Sequence, residues 1–172
     1  MTAADKYYLK AKDCYPYDME EALDALEYGL SSDESHAGLL TLKGEICHRD
    51  LKQFDTAKEC FELALYHDAA FVETYYNYVK LLYELDEAKA AEKLIVRALT
   101  VKGIDKAKMW HLEALVYEKQ RMYTIAMASL SNALEYCQDK ELYSFYKDER
   151  KRVKKKSKPA NNSVEQESEV QV

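Results

Sequence analysis

Glycine and proline are scarce in this chain, four and two among 172 residues. Tight hairpins depend on both, glycine for positive φ and proline to pre-set a turn, so a fold of many short strands is excluded. The four cysteines, Cys14, Cys47, Cys60 and Cys137, lack paired spacing. Disulfide frameworks and zinc clusters show such pairing, so these thiols read as small buried or half-buried apolar residues. The neighbours Cys47 and His48 have no further ligand at metal-binding spacing, and no metal is expected. No run of 18 apolar residues occurs, which argues against a membrane-spanning helix. Met1 to Lys6 lacks the basic start and apolar stretch of a secretory signal, so a cytoplasmic location with reduced thiols is expected. Four scattered glycines cannot build a phosphate-cradling loop, and no histidine stands in a local motif with Ser or Cys. Neither a catalytic residue nor a cofactor is read from this chain.

What the chain does contain is a pattern repeated four times. An Ala is followed at offsets 4, 7 and 8 by a large apolar residue, a small residue and Leu. The copies are Ala22, Leu26, Gly29, Leu30; Ala57, Phe61, Ala64, Leu65; Ala91, Ile95, Ala98, Leu99; and Ala126, Leu130, Ala133, Leu134. Successive copies lie 35, 34 and 35 residues apart. Those offsets put all four residues on one face of a helix, where the small ones permit close approach and the large ones fill the layer between. A period of this length predicts stacked units, each burying a face that it could not bury alone. A leading helix is clearest in the last two units, as Tyr75, Tyr78, Val79, Leu82 and Trp110, Ala114, Tyr117.

The spacing predicts helix pairs at about 4–30, 36–67, 71–101 and 107–137. Ser31 to Ser35 breaks the pattern and offers caps, Gly103 suits a helix end, and Pro16 falls in a turn. Asp139 is a candidate N-cap for one more helix over 139–156. There Leu142, Phe145, Tyr146 and Val153 are expected to cover the last unit, with Lys147, Asp148, Glu149 and Arg150 facing water. The polar composition of 157–172 predicts a disordered tail.

These residues resemble the tetratricopeptide repeat, whose pattern runs W-x2-L-G-x2-Y, then A-x3-F, then Pro. The fourth copy reads Trp110, Glu113, Ala114, Tyr117, Tyr123, Ala126, Leu130, Ala133, and the second reads Leu40, Gly44, Cys47, Phe54, Ala57, Phe61, Ala64. The resemblance covers residues 4–138, as repeats of about 4–35, 36–69, 70–104 and 105–138. The closing Pro is replaced by Glu34, Ala69, Gly103 and Gln138, which leaves the superhelical curvature open. The resemblance implies an all-α superhelical solenoid of four helix-turn-helix units with a C-terminal capping helix. It also implies a concave wall of first helices that grips a peptide or helix of another protein. On that wall it places Glu73, Tyr76, Lys80, Tyr83 and Glu84; Lys108, His111, Leu115, Glu118 and Lys119; and Thr41, Glu45, His48 and Arg49. Some members clamp an acidic chaperone tail. Asn77 and Lys108 match two of the five clamp positions, but Thr41, Glu45 and Leu112 at the others cannot serve.

The functional expectation is a non-catalytic protein-interaction module, a scaffold or adaptor, with a small client-specific chaperone as the alternative. The candidate groove residues are Tyr76, Lys80, Tyr83, Lys108, His111, Leu115 and Lys119. Tyr contributes wide contact area with few rotamers to freeze, yet the same tyrosines could pack between helices, and both readings stay open. Charge is uneven. Residues 1–149 hold 18 basic against 28 acidic residues, a net of −10, while 150–158 holds seven basic and none acidic. That basic run reads as a solvated helix end, or as a contact for nucleic acid, an anionic membrane, an import receptor or an acidic body of its own kind. The acidic body argues against nucleic acid. A homo-oligomer stays open.

Overall fold

In a computed structural model describing residues 1–158, nine α-helices follow one another and no strand occurs among the described residues. They are α1 (Ala3–Cys14), α2 (Met19–Ser32), α3 (Ala37–Arg49), α4 (Phe54–His67), α5 (Val72–Glu84), α6 (Ala88–Ala98), α7 (Lys106–Lys119), α8 (Tyr123–Tyr136) and α9 (Lys140–Lys156). The tail expectation lies, from residue 159 on, outside the described residues.

The helices pack as antiparallel pairs, α1 with α2, α3 with α4, α5 with α6 and α7 with α8, and α9 leans on α8. Each first helix also meets the next first helix, and each second helix meets the first helix of the following unit. This translational order is that of a solenoid. The repeated stripe explains it. Ala22, Ala57, Ala91 and Ala126 are all fully buried, as are Ala64, Ala98 and Ala133. Phe61, Ile95 and Leu130 fill the seams between them. Gly29 and Gly44 take the small places where a Cβ would stand 2.6 Å from Leu39 and from Phe61. The terminal Leu of the stripe is fully buried only at Leu65; Leu30, Leu99 and Leu134 stay half-exposed.

The turns inside the second, third and fourth units share one device. Lys52, Asp86 and Arg121, at matching register, each adopt positive φ of 55°, 60° and 60°. No glycine stands there, so each turn carries the strain of a left-handed L-residue. Gly103, between α6 and α7, is at φ 90°, where lack of a Cβ matters. Caps are mixed. Thr2 and Asp5 form a reciprocal capping box on α1, and Asp18, Asp105 and Asp139 cap α2, α7 and α9 with their carboxylates. The Ser31–Ser35 stretch behaves differently from its reading as a source of caps. Helix α2 runs through to Ser32, and α3 is capped by His36, whose Nδ1 accepts from the Leu39 N–H at 3.1 Å. The His36 Nε2 lies 3.2 Å from an Asp5 carboxylate oxygen, which favours the tautomer the cap needs.

Tyrosine hydroxyls account for much of the stitching between units. Tyr78 donates to Glu62 at 2.7 Å and Tyr117 to Glu92 at 2.8 Å, each from a first helix back to the preceding second helix. Tyr75 donates to the Ala69 carbonyl at 2.9 Å. Burial and the neighbouring carboxylate push the Tyr117 hydroxyl up to about 12. Cys47 and Cys60 are buried and Cys14 and Cys137 half-buried, all as free thiols. Burial raises the Cys60 thiol to about 11, which keeps it protonated and inert at neutral pH.

Candidate functional site

The candidate site is the wall formed by the first helices, and its geometry follows from the packing just described. Alternate faces of α3, α5 and α7 are buried in the seams, so the remaining face of each looks into a common trough. Helix α1 and its C-cap contribute a row not among the wall residues named from the sequence: Tyr8, Lys12 and Tyr15. Tyr8 donates to Glu73 on α5 at 3.2 Å, and Lys12 pairs with the same carboxylate at 3.0 Å. These contacts reach from α1 to α5 across α3, so the first half of the trough is bridged by the chain's own side chains. Beneath the bridge lies a cleft of about 220 Å³ bordered by Thr41, Leu42 and Glu45.

Most other polar residues of the wall are also engaged. Buried Thr41 shares a hydroxyl–hydroxyl hydrogen bond of 2.6 Å with Thr74. Glu45 takes Arg49 at 2.8 Å and accepts from the Asn77 amide at 3.1 Å. Asn77, a clamp candidate by position, is therefore held beside a carboxylate and cannot cradle an acidic tail. His48 is buried, with Nε2 2.9 Å from a Glu84 oxygen at an angle that makes no hydrogen bond. Tyr15 donates to Asp50 at 2.9 Å.

Of the seven groove residues named from the sequence, three are placed otherwise than as open groove surface. Tyr76 is 8% exposed; its hydroxyl accepts from the Asp105 backbone N–H at 2.7 Å and the Lys108 ammonium covers its ring at 4.2 Å. It acts as a strut between α5 and the start of α7. His111 packs against Phe145 and Tyr146 of α9, with ring centroids at 5.3 and 5.1 Å, and burial lowers its pKa. Lys119 pairs with Asp86 at 2.7 Å and donates to the Tyr83 carbonyl at 2.8 Å, closing the end of α5. It also lies 4.8 Å from the Tyr83 ring centroid.

Lys80, Lys108, Tyr83 and Leu115 remain. They lie on α5 and α7 at the middle of the wall, the lysines exposed and Tyr83 and Leu115 half-buried. Among the described residues neither lysine makes an ion pair. The Lys80 ammonium is desolvated by its setting and repelled by Lys108, and both effects lower its pKa, the first more strongly. An anion placed between the two would relieve that repulsion.

Helix α9 occupies the position of a fifth first helix and extends the wall by one row. Arg152 binds Glu118 of α7 and Glu149 of its own helix, and Lys156 joins Glu118 at 2.8 Å. Tyr146 and Val153 are buried beneath it, but Leu142 and Phe145, expected to cover the last unit, are 45% and 46% exposed. Among the described residues no three His, Cys, Asp or Glu side chains gather as metal ligands, and no helix is long and apolar enough to cross a membrane.

No protein-family model matches this chain, and no curated protein does. Solved structures share its fold. The thermophilic tetratricopeptide-repeat protein TTC0263 of Thermus thermophilus superposes with a TM-score of 0.68 at 16% identity, over 84% of this chain and 80% of that one. MamA from Desulfovibrio magneticus RS-1 gives 0.64 at 17% identity, over 91% and 92%. The tetratricopeptide-repeat domain of Arabidopsis OM64 gives 0.57 at 22% identity, over 69% and 94%. The fold is thus the tetratricopeptide-repeat solenoid of four helix pairs with a further C-terminal helix.

Proposed function

We propose that this tetratricopeptide-repeat solenoid is a protein-interaction module that seats an acidic segment of another protein at the middle of its concave wall. The observation that carries the reading is the pair Lys80 and Lys108. Two cations face the trough from adjacent first helices while nearly every other charged group of the wall is tied to a neighbour. An unpaired ammonium that is partly desolvated and repelled by another is costly to keep, and a partner carboxylate or phosphate offsets that cost on binding. Tyr83 and Leu115 beside them offer apolar contact for the residues flanking the acidic group. The bridged first half of the trough supports a short contact rather than one along the full wall.

The test is affinity capture with the full chain as bait, comparing wild type with Lys80→Glu/Lys108→Glu. Both lysines are exposed and make no ion pair among the described residues, so the variant should stay folded, melting slightly below wild type because the Lys108 contact with the Tyr76 ring is lost. Partners with acidic segments should drop out of the captured set and return at wild-type levels with Lys80→Arg/Lys108→Arg. Retention of the same partners by the charge-reversed bait would remove this site.

A further inference from the structure

The two ends of the solenoid carry opposite charge, each in a cleft that no other part of the described chain covers. At the first unit, between α1 and α2, a cleft of about 340 Å³ is rimmed by Asp18, Glu20, Glu21 and Asp24. Its floor is aromatic: Tyr7 and Tyr28 stack with centroids 5.9 Å apart, and Tyr28 is 63% exposed. The segment from 13 to 42 holds eight acidic residues and no Lys or Arg. At the last unit, between α8 and α9, a cleft of about 510 Å³ is rimmed by Lys147, Arg150, Lys151 and Lys154, with Met127 and Ala128 on its floor. Lys10 pairs with Glu21 and Lys151 with Asp148. Among the described residues Glu20, Asp24, Lys147, Arg150 and Lys154 make no ion pair.

We infer that the α8–α9 cleft docks the acidic α1–α2 end of a second copy of this chain, so that solenoids associate head to tail. The match is one of charge and of surface type: unpaired cations around an apolar floor at one end, unpaired carboxylates around an aromatic floor at the other. The basic cleft has the second property a docking seat needs. In this solenoid each second helix packs on its own first helix, and each first helix also receives the second helix of the preceding unit. Among the described residues α9 stands as a first helix with no second helix packed on it, so its open side along the α8–α9 cleft is where a further helix would pack. The acidic, partly apolar helix α2 of another copy fits that place. Two different surfaces meet, so the contact is heterologous and continues at both ends instead of closing after two subunits.

Sedimentation of the full chain tests this across concentration and ionic strength. At low salt, mass should rise with concentration through a ladder of species. The rise should shrink at high salt, because the Debye length falls from about 10 Å at 0.1 M to about 3 Å at 1 M. Glu20→Lys/Asp24→Lys and Lys147→Glu/Arg150→Glu should each be monomeric while melting close to wild type. Each keeps one intact end, so mixing the two variants should restore association: intact ends meet, and the two reversed ends complement each other, so the two species alternate along the assembly. A chain carrying all four changes should associate again. A wild-type chain that stays monomeric at its highest soluble concentration, or a mixture of the two variants that does not associate, overturns the inference. So does salt-sensitive binding to anionic vesicles without any self-association, which would give the basic cleft to a lipid surface instead.

Discussion

Arg152 holds Glu118 with two parallel hydrogen bonds, Nη1 to Oε1 at 2.5 Å and Nη2 to Oε2 at 2.6 Å. The two residues lie 34 positions apart, one repeat, so the contact registers α9 against α7 as if a fifth unit had begun. Such bidentate pairs combine charge with a fixed geometry.

Arg152→Ala should loosen α9 and cost about 1–2 kcal/mol, the lower part of the range for a charged hydrogen-bonded pair because Arg152 is partly exposed. The Arg152 hydrogen bond is also the largest cause lowering the Glu118 pKa. A carboxylate with a depressed folded pKa contributes stability above its unfolded value near 4.5, lost as pH falls through the folded one. Hydrogen exchange should therefore show α9 amides opening first on acidification. Equal protection of α9 and α5 at about pH 4 would count against this role.

His111 should add a second acid-sensitive contribution at higher pH. Burial lowers its pKa below the ordinary 6.5, ahead of any charge effect. The unfolded chain then binds more protons than the folded one between the lowered value and 6.5, so stability falls as pH drops through that window. His111→Phe keeps an aromatic ring beside Phe145 and Tyr146 and should flatten the melting temperature between about pH 7 and 5.5. An unchanged slope would place the titrating group elsewhere.

Tyr76 should prove structural. Tyr76→Phe leaves the Asp105 N–H without its acceptor and should cost about 1 kcal/mol. Tyr76→Ala opens a cavity and should cost about 3–5 kcal/mol. Chemical denaturation of both variants measures the difference. A Tyr76→Ala protein as stable as wild type would return this ring to the groove.

The small places of the stripe should reject larger residues. Ala91 is fully buried, and Ala91→Leu should cost about 1–3 kcal/mol. Gly44→Ala sets a Cβ 2.6 Å from the buried Phe61 ring and should cost about as much, since that ring has no room to retreat. Thermal melts that move by less than a degree would mean the seam is looser than its spacing implies.

The helix pairs were legible because burial repeats along the chain: Ala22, Ala57, Ala91 and Ala126 stand at one period and all are buried. The wall was legible by position at Lys80 and Lys108, whose exposure follows from facing away from the seam. It was not legible at Tyr76, because local pattern does not say that the Asp105 N–H, 29 residues on, will meet its hydroxyl. Lys119 and His111 escaped for the same reason, their partners being Asp86 and the rings of α9. The α1 row, Tyr8, Lys12 and Tyr15, left only the weak signal of a tyrosine-rich helix one repeat before α3. Leu142 and Phe145 read as buried from apolarity alone, whereas the seam under α9 holds Tyr146 and Val153.

Period and side-chain size along the chain were enough to determine helical pairs stacked by translation, since both are local properties that repeat. Which wall residues are left without an internal partner was decided only by the tertiary structure. Curvature brings α1 within reach of α5 and sets α9 against α7, and those approaches bind most of the wall's charges to each other.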